Sequence, residues 1–142
     1  MTSLAIGVFG KKKTQNASDS DSSNTSPEPI VLSRLQELTG TDSEMYRTMS
    51  RLLFLDPKKI NTSLEEAVGQ ATAFESSGNR TRAEVWYRIA GGIALYQGDT
   101  EAVRKFFEKA SAIAGESRPE YKTAASRPQE AVALAKKYYE IL

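Results

Sequence analysis

The chain contains no cysteine and no histidine among its 142 residues. The absence of cysteine excludes disulfides, thiolate nucleophiles, cysteine-ligated zinc and iron–sulfur clusters. The absence of histidine removes the commonest transition-metal ligand and the usual general base at neutral pH. Gly-rich phosphate loops and paired metal-ligand motifs are missing from the sequence as well. We therefore predict a protein that is not an enzyme and that uses no cofactor and no metal ion.

An excess of charge of one sign is also missing. Nineteen Lys and Arg residues are balanced by eighteen Asp and Glu residues, and the net charge is +1. Proteins that bind nucleic acid or coat an acidic membrane normally carry a large basic excess. The balance therefore argues against nucleic acid as the partner.

Long apolar runs are absent too, and none approaches the roughly 20 residues that span a bilayer. The short apolar run at residues 4–9 comes before the lysines at residues 11–13, whereas a secretory signal has its basic residues first. One such run with three lysines is a marginal membrane anchor. We expect a cytoplasmic protein, and the sequence argues against membrane contact through residues 4–13.

The N-terminal segment differs in composition from the rest of the chain. Residues 10–29 are rich in Lys, Ser, Asp, Asn and Thr and end with Pro27 and Pro29. This composition buries too little apolar surface to offset the entropy lost when the chain is ordered. The sequence therefore predicts a disordered arm and linker over residues 1–29 and an all-α domain over residues 30–142.

Helical periodicity continues through most of the domain, with no convincing strand alternation. Two capping boxes, in which Ser or Thr is followed three residues later by Glu, start at Thr41 and Ser63. Two Arg-Pro pairs place Pro119 and Pro128 where proline can begin a helix. The pattern predicts an all-α fold with six or seven helices.

The helix predicted over residues 80–97 is the least polar, and so we expect it to be the central, most buried one. Its two adjacent glycines, Gly91 and Gly92, cost about 2 kcal/mol relative to two alanines in a helix interior. They either break the helix or let a neighbour approach closely, and the unbroken apolar periodicity favours close approach. The pair Trp86 and Tyr87 is either an interface anchor or part of the core, and the apolar helix around it favours the core.

One short pattern occurs twice in the domain, at positions twenty residues apart. Each copy has Gly, then Asn or Asp, then a small, an aromatic and a small residue at fixed offsets: Gly78, Asn79, Ala83, Tyr87 and Ala90, and then Gly98, Asp99, Val103, Phe107 and Ala110. Gly suits the left-handed position that ends a helix, and Asn or Asp caps the next one. The pattern predicts at least three antiparallel helices stacked over residues 63–115.

A frame of thirty-four residues from Leu64 to Gln97 resembles a tetratricopeptide repeat. The small and aromatic positions of that family are occupied by Ala71, Phe74, Ala83, Tyr87 and Ala90, with Gly78 and Asn79 at the turn. The frame departs from the family where Ala67, Gln70 and Leu95 replace an aromatic residue, a leucine and a proline. A second register, starting at Glu84, overlaps the first. Both a tetratricopeptide-like antiparallel stack and an unrelated compact helical bundle fit the sequence.

The resemblance implies a non-enzymatic scaffold or adaptor that binds a partner peptide or helix of another protein. In this frame the outward positions of the first helix, with two arginines of the second helix that belong to a basic patch, give the candidate partner-binding residues Glu65, Val68, Thr72, Glu75, Arg82 and Arg88. The alternative is a small helical bundle subunit that associates with a nucleoprotein or peripheral membrane complex. A homo-oligomer is a further alternative, because short stacks have exposed ends.

Overall fold

The computed structural model describes residues 29–54 and 57–140, and the side chains from residue 33 onward. The described part of the chain contains seven α-helices and no strand, so the prediction of an all-α fold is confirmed. The chain divides into two units, residues 1–33 and 34–142. The helices are α1 (Pro29–Thr39), α2 (Ser43–Leu52), α3 (Leu64–Ser76), α4 (Arg80–Gln97), α5 (Thr100–Ala114), α6 (Pro119–Ser126) and α7 (Pro128–Glu140), with 3₁₀ turns at Pro57–Lys59 and Gly115–Ser117.

Three of the seven described helices start at the predicted capping side chains. Ser63 accepts a hydrogen bond from the Glu66 N–H (3.0 Å), and the Glu66 carboxylate accepts one from the Ser63 N–H (3.0 Å), which completes a capping box. Asn79 caps α4 and Asp99 caps α5, and the side chain of each accepts a hydrogen bond from a backbone N–H. The glycines before these two caps have left-handed φ values of 83° and 78°. The two copies of the sequence pattern therefore mark the connections between α3 and α4 and between α4 and α5.

The capping box predicted at Thr41 is wrong. Asp42, one residue later, caps α2 by accepting a hydrogen bond from the Met45 N–H (3.1 Å). Glu44 does not complete a box but lies 3.2 Å from Arg127, which also pairs with Asp42. Aspartate is a stronger N-cap than threonine, and the ion pair with Arg127 is a tertiary contact that sequence spacing does not reveal.

Helix α4 packs along both α3 and α5, and it continues without a break through Gly91 and Gly92. A Cβ at Gly91 would lie 2.6 Å from the ring of Phe107 in α5. A Cβ at Gly92 would lie 2.5 Å from the ring of Phe54, which follows α2. The close-approach interpretation is therefore confirmed, and the approaching groups are two aromatic rings.

Burial along α4 is uneven. The helix buries eight residues, more than any other described helix, and six of them are consecutive at residues 90–95. Val85 and Tyr96, by contrast, are each 47% exposed, and Trp86 is half-buried. The prediction of a central buried helix is confirmed for residues 90–95, whereas Val85 and Tyr96 on either side of this run present apolar surface to solvent.

The remaining helices complete the core of the second unit. Helix α5 buries much of its predicted apolar face, α6 packs against α5 and α2, and α7 packs against α4 and α5. Pro119 and Pro128 begin α6 and α7, as predicted. The predicted disordered arm lies, apart from Pro29, outside the described residues. The domain boundary and the tetratricopeptide resemblance stay predictions.

Candidate partner-binding surfaces

Four of the predicted partner-binding residues lie on one side of α3, and we call them the α3 stripe (Glu65, Val68, Thr72 and Glu75). Their spacing of three or four residues places them on one helix face. Glu65, Thr72 and Glu75 are exposed, and Val68 is half-buried. The stripe is therefore a narrow accessible surface with carboxylates at both ends and an apolar centre.

Glu75 ties this stripe to the two helices that follow. The hydroxyl of Tyr87 in α4 donates a hydrogen bond to the Glu75 carboxylate over 2.5 Å. Lys109 in α5 lies 4.0 Å from the same carboxylate and 5.9 Å from the centre of the Tyr87 ring. Burial, with the Glu75 hydrogen bond, raises the pKa of Tyr87 to about 12, so the phenol stays protonated and donates at neutral pH. Helices α3, α4 and α5 are thus joined at one point.

Helix α5 adds an aromatic and basic edge beside this point. The ring of Phe106 stacks on Tyr87 with 6.4 Å between centroids. The Lys105 ammonium group lies 5.6 Å from the centre of the Phe106 ring. The α3 stripe therefore has acidic groups on α3, and the basic groups Lys105 and Lys109 lie on α5, which packs against the other side of the contact at Tyr87.

The two predicted arginines of α4 lie apart from each other. Arg88 donates a hydrogen bond to the carbonyl oxygen of Arg51 in α2 over 2.9 Å. Arg82 lies with its guanidinium carbon 5.6 Å from the centre of the Phe74 ring in α3. Six residues of helix rotate the two side chains to different sides of α4. The six predicted residues are thus divided between the α3 stripe, the outer edge of the α3–α4 hairpin and the contact with α2.

A second surface on α3 was not predicted from the sequence. It is a groove of about 540 Å³ between α3, the segment before it and α4, lined by Asn61, Thr62, Glu66, Gly69, Gln70, Ala73 and Trp86. We call it the α3 groove. Trp86, which the sequence favoured as a core residue, is half-buried in its wall. The sequence signal was a spacing of three or four residues, which places four residues on one helix face: Glu66, Gly69, Gln70 and Ala73. This face forms a groove only because Trp86 of α4 lies beside it.

Helix α3 buries little of its surface within the chain. Of its thirteen residues only Ala67 and Ala71 are buried. An amphipathic surface helix normally buries an apolar stripe at least about 100° wide. The stripe and the groove together account for most of the surface that α3 leaves accessible.

The charges around the α3 groove are separated along its length. Helix α3 carries three glutamates and no Lys or Arg. Neither Glu65 nor Glu66 forms an ion pair with a residue that the structure describes. Arg82 lies over Phe74, towards the C-terminal end of α3. The groove lining therefore carries the acidic Glu66, and the basic Arg82 lies beyond the lining, over Phe74, the residue that follows Ala73.

Two further polar clusters hold helices together. Glu120 is 4% exposed and lies 3.4 Å from Arg51 and 3.9 Å from Arg118. Arg127 binds Asp42 and Glu130, with N–O distances of 2.5 Å and 2.7 Å. Among residues 29–54 and 57–140 no group of three His, Cys, Asp or Glu side chains is arranged to hold a metal ion. These clusters connect α2 to α6 and α7, and we interpret them as structural.

A pocket of about 570 Å³ also lies between the ends of α4 and α7. Tyr96 and Tyr139 line it and meet edge to face with 5.1 Å between centroids. The Tyr139 hydroxyl accepts a hydrogen bond from the Phe54 N–H over 2.9 Å. The aromatic pair thus fastens α7 to α4 and to the end of the α2 segment.

Comparison with known proteins yields no family model, no curated protein and no solved structure that matches this chain. Within the described residues, every helix is too short or too polar to cross a bilayer.

Proposed function

We propose that this protein is a non-enzymatic cytoplasmic adaptor that binds a peptide or helix of a partner protein along the α3 stripe. The contact of Glu75 with Tyr87 and Lys109 carries the proposal, because it fixes three helices against one another beside the stripe. A surface that is rigid before binding loses less conformational entropy when a partner docks. The resemblance to a tetratricopeptide repeat supports the same face, since such stacks bind peptides along the first helix of each pair.

The chemistry of the stripe indicates the kind of partner. Glu65 lacks an ion pair with any described residue and would attract a basic side chain. Val68 and Thr72 offer an apolar contact at the centre. Lys105 on α5 would attract an acidic side chain. The expected partner segment therefore has an apolar residue between a basic and an acidic one.

The alternative of a nucleoprotein subunit has less support. Arg104, which belongs to the basic patch considered from the sequence, contacts both Glu101 (2.7 Å) and Glu108 (3.1 Å). Lys109 is close to Glu75, and Arg88 points to a backbone carbonyl. Phosphate binding needs basic groups that are not already neutralised within the protein.

The proposal is tested by site-specific photo-crosslinking. A photoreactive residue replaces Thr72 in the stripe, and a matched control variant carries it at Ala133, which is exposed on α7. In extract from the native host, the variant at residue 72 should give a specific crosslinked protein that the control does not give. Adding Val68→Glu should abolish that product without changing the helical content. Absence of a product, or the same product from both positions, would overturn the proposal.

A further inference from the structure

Gly69 in the α3 groove has no explanation within the described chain. The Cβ of any larger residue at Gly91 or Gly92 would collide with an aromatic ring, whereas a Cβ at Gly69 would meet no described atom within 4 Å. A glycine in a helix interior costs about 1 kcal/mol relative to alanine. The intramolecular packing that explains the glycines of α4 is thus missing at Gly69, and a neighbour from outside the chain would supply it.

The groove around Gly69 has the form of a helix-packing surface. Its α3 side has the small residues Gly69 and Ala73 on either side of Gln70, and the half-buried ring of Trp86 forms one wall. Val85, next to Trp86, is 47% exposed. Helices pack with axes about 8–10 Å apart, and the distance depends on the side chains at the contact. Small residues beside an exposed apolar edge therefore suit a closely packed helix.

The distribution of charge identifies which helix fits. The middle residue of α3 is Gln70, since the helix runs from Leu64 to Ser76. Glu66 precedes Gln70 by four residues, and Phe74, over which Arg82 lies, follows it by four residues. At 1.5 Å per residue each charge lies about 6 Å along the helix axis from Gln70, on opposite sides. If α3 of a second chain packed in the opposite direction, Glu66 of each chain would lie level with Arg82 of the other chain, which gives two such pairs.

We propose that the α3 groove is a homodimer interface in which α3 of one chain packs antiparallel against α3 of a second copy, about a two-fold axis near Gln70. Such an interface is isologous, because the same surface of each chain contacts its equivalent. The two Glu66–Arg82 pairs select the antiparallel direction, and Gly69 allows the helices to approach. This inference does not depend on the proposed function, since the α3 stripe lies on another side of α3. The dimer carries two such stripes and binds a repeated or dimeric partner with increased avidity.

The charge pairing is tested by sedimentation equilibrium of the full chain. The wild type should sediment as a dimer, and Glu66→Arg or Arg82→Glu alone should weaken self-association by about tenfold or more. The double variant, which exchanges the two charges, should restore the dimer. Circular dichroism monitors folding, because Glu66→Arg also removes the capping-box carboxylate. A monomeric wild type, or a double variant no better than either single one, would overturn the inference.

Two further measurements do not rely on the charged residues. Trp86 is the only tryptophan in the chain, so its emission should shift to longer wavelength when dilution dissociates the dimer. In the cysteine-free chain, Gln70→Cys should form a disulfide-linked dimer in mild oxidant, whereas the control Ala133→Cys should not. Gly69→Gln should give a folded monomer, because the chain itself leaves room for the side chain. A dimeric Gly69→Gln variant, or equal crosslinking at residues 70 and 133, would contradict this packing. If the groove binds another protein instead, the wild type should be a monomer.

Discussion

The ring of Phe107 in α5 lies against the backbone of Gly91 in α4, so closely that a Cβ at Gly91 would be 2.6 Å from the ring. Phe107 is fully buried and stacks on Tyr121 of α6 with 6.0 Å between centroids. The ring is therefore held on both sides and cannot move aside for a larger residue. This contact connects three helices, and it makes α4 and α5 a rigid support for the surfaces on α3.

Gly91→Ala should destabilise the protein by about 1–3 kcal/mol, because the added methyl group overpacks the core. Helix propensity alone predicts the opposite sign, a gain of up to about 1 kcal/mol. Urea unfolding followed by circular dichroism measures the difference. Gly69→Ala is the matched control, and in dilute solution it should stabilise the chain by about 0.5–1 kcal/mol.

A double-mutant cycle checks that the Phe107 ring is the cause. Phe107→Leu is itself destabilising, but it removes part of the ring that the new methyl group meets. The cost of Gly91→Ala should therefore be smaller in the Phe107→Leu background than in the wild type. An equal cost in both backgrounds would assign the destabilisation to another contact.

The sequence predicted the helices well where local side chains decide their ends. Asn79, Asp99 and Ser63 cap the helices that their spacing predicted, because each accepts an N–H only three residues away. The start of α2 was predicted wrongly because Asp42 competes with Thr41 and pairs with Arg127, a contact between residues distant in sequence. Sequence spacing around a helix start cannot predict that contact.

The surfaces were less predictable than the helices. The α3 stripe was taken from the outward positions that the tetratricopeptide-like frame implies, and its four residues do share one face of α3. The α3 groove depends on where Trp86 of α4 lies beside α3, and apolar composition suggested a buried tryptophan. Periodicity identifies which face of a helix is apolar, but it does not say whether another helix of the same chain covers that face.

Acid should weaken the contact that Arg127 makes between α2 and α7. Hydrogen bonds from Arg127 lower the pKa of Asp42 and of Glu130, and the Met45 N–H lowers that of Asp42 further. The folded state then binds fewer protons than the unfolded state, so stability falls as pH drops through the carboxylate range near about pH 4. We expect Arg127→Gln to reduce stability at neutral pH and to flatten this acid dependence.

Urea midpoints of the wild type and Arg127→Gln between neutral and acidic pH test this prediction. The difference in urea midpoint between the wild type and Arg127→Gln should become smaller as the pH falls and the carboxylates become protonated. Arg34→Gln, which removes an exposed pair with Glu37 on α1, is the control and should leave the pH profile nearly unchanged. A constant gap between wild type and Arg127→Gln would contradict the assigned role.

Alkaline pH should destabilise the protein through two buried tyrosines. Burial, helped by nearby glutamates, raises the pKa of Tyr87 to about 12 and that of Tyr121 to about 12, from an ordinary value of 10.0. A raised pKa in the folded state means that this stabilisation is complete below pH 10 and is lost as pH rises towards 12. Tyrosinate absorbance, recorded with unfolding, should show both phenols ionising late. Tyr121→Phe should reduce the loss of stability at alkaline pH. An unchanged dependence of stability on pH in this variant would contradict the role assigned to Tyr121.

The buried carboxylate of Glu120 should make Arg51 important for stability. Arg51 donates to Glu120 over 3.4 Å, and Glu120 is only 4% exposed. Arg51→Met should cost about 1–3 kcal/mol, because it leaves a buried acceptor with fewer partners. The same change in a Glu120→Gln background should cost clearly less, since the buried charge is then absent. Equal costs in chemical denaturation would show that the ion pair does not contribute.

Charge on the α3 stripe should control partner binding once the crosslinked partner is purified. Glu65 is exposed and has no ion pair among the described residues, so Glu65→Lys should not disturb the fold, but it should repel the basic side chain expected in the partner. We expect affinity to fall by about tenfold at low salt and by less at high salt, where exposed charges are screened. Glu116→Lys, in the exposed turn before α6, gives the same change in net charge away from the stripe. Titration calorimetry at two salt concentrations separates the two cases. Equal affinities of the two variants would mean that only net charge matters, and the stripe would then not be the binding surface.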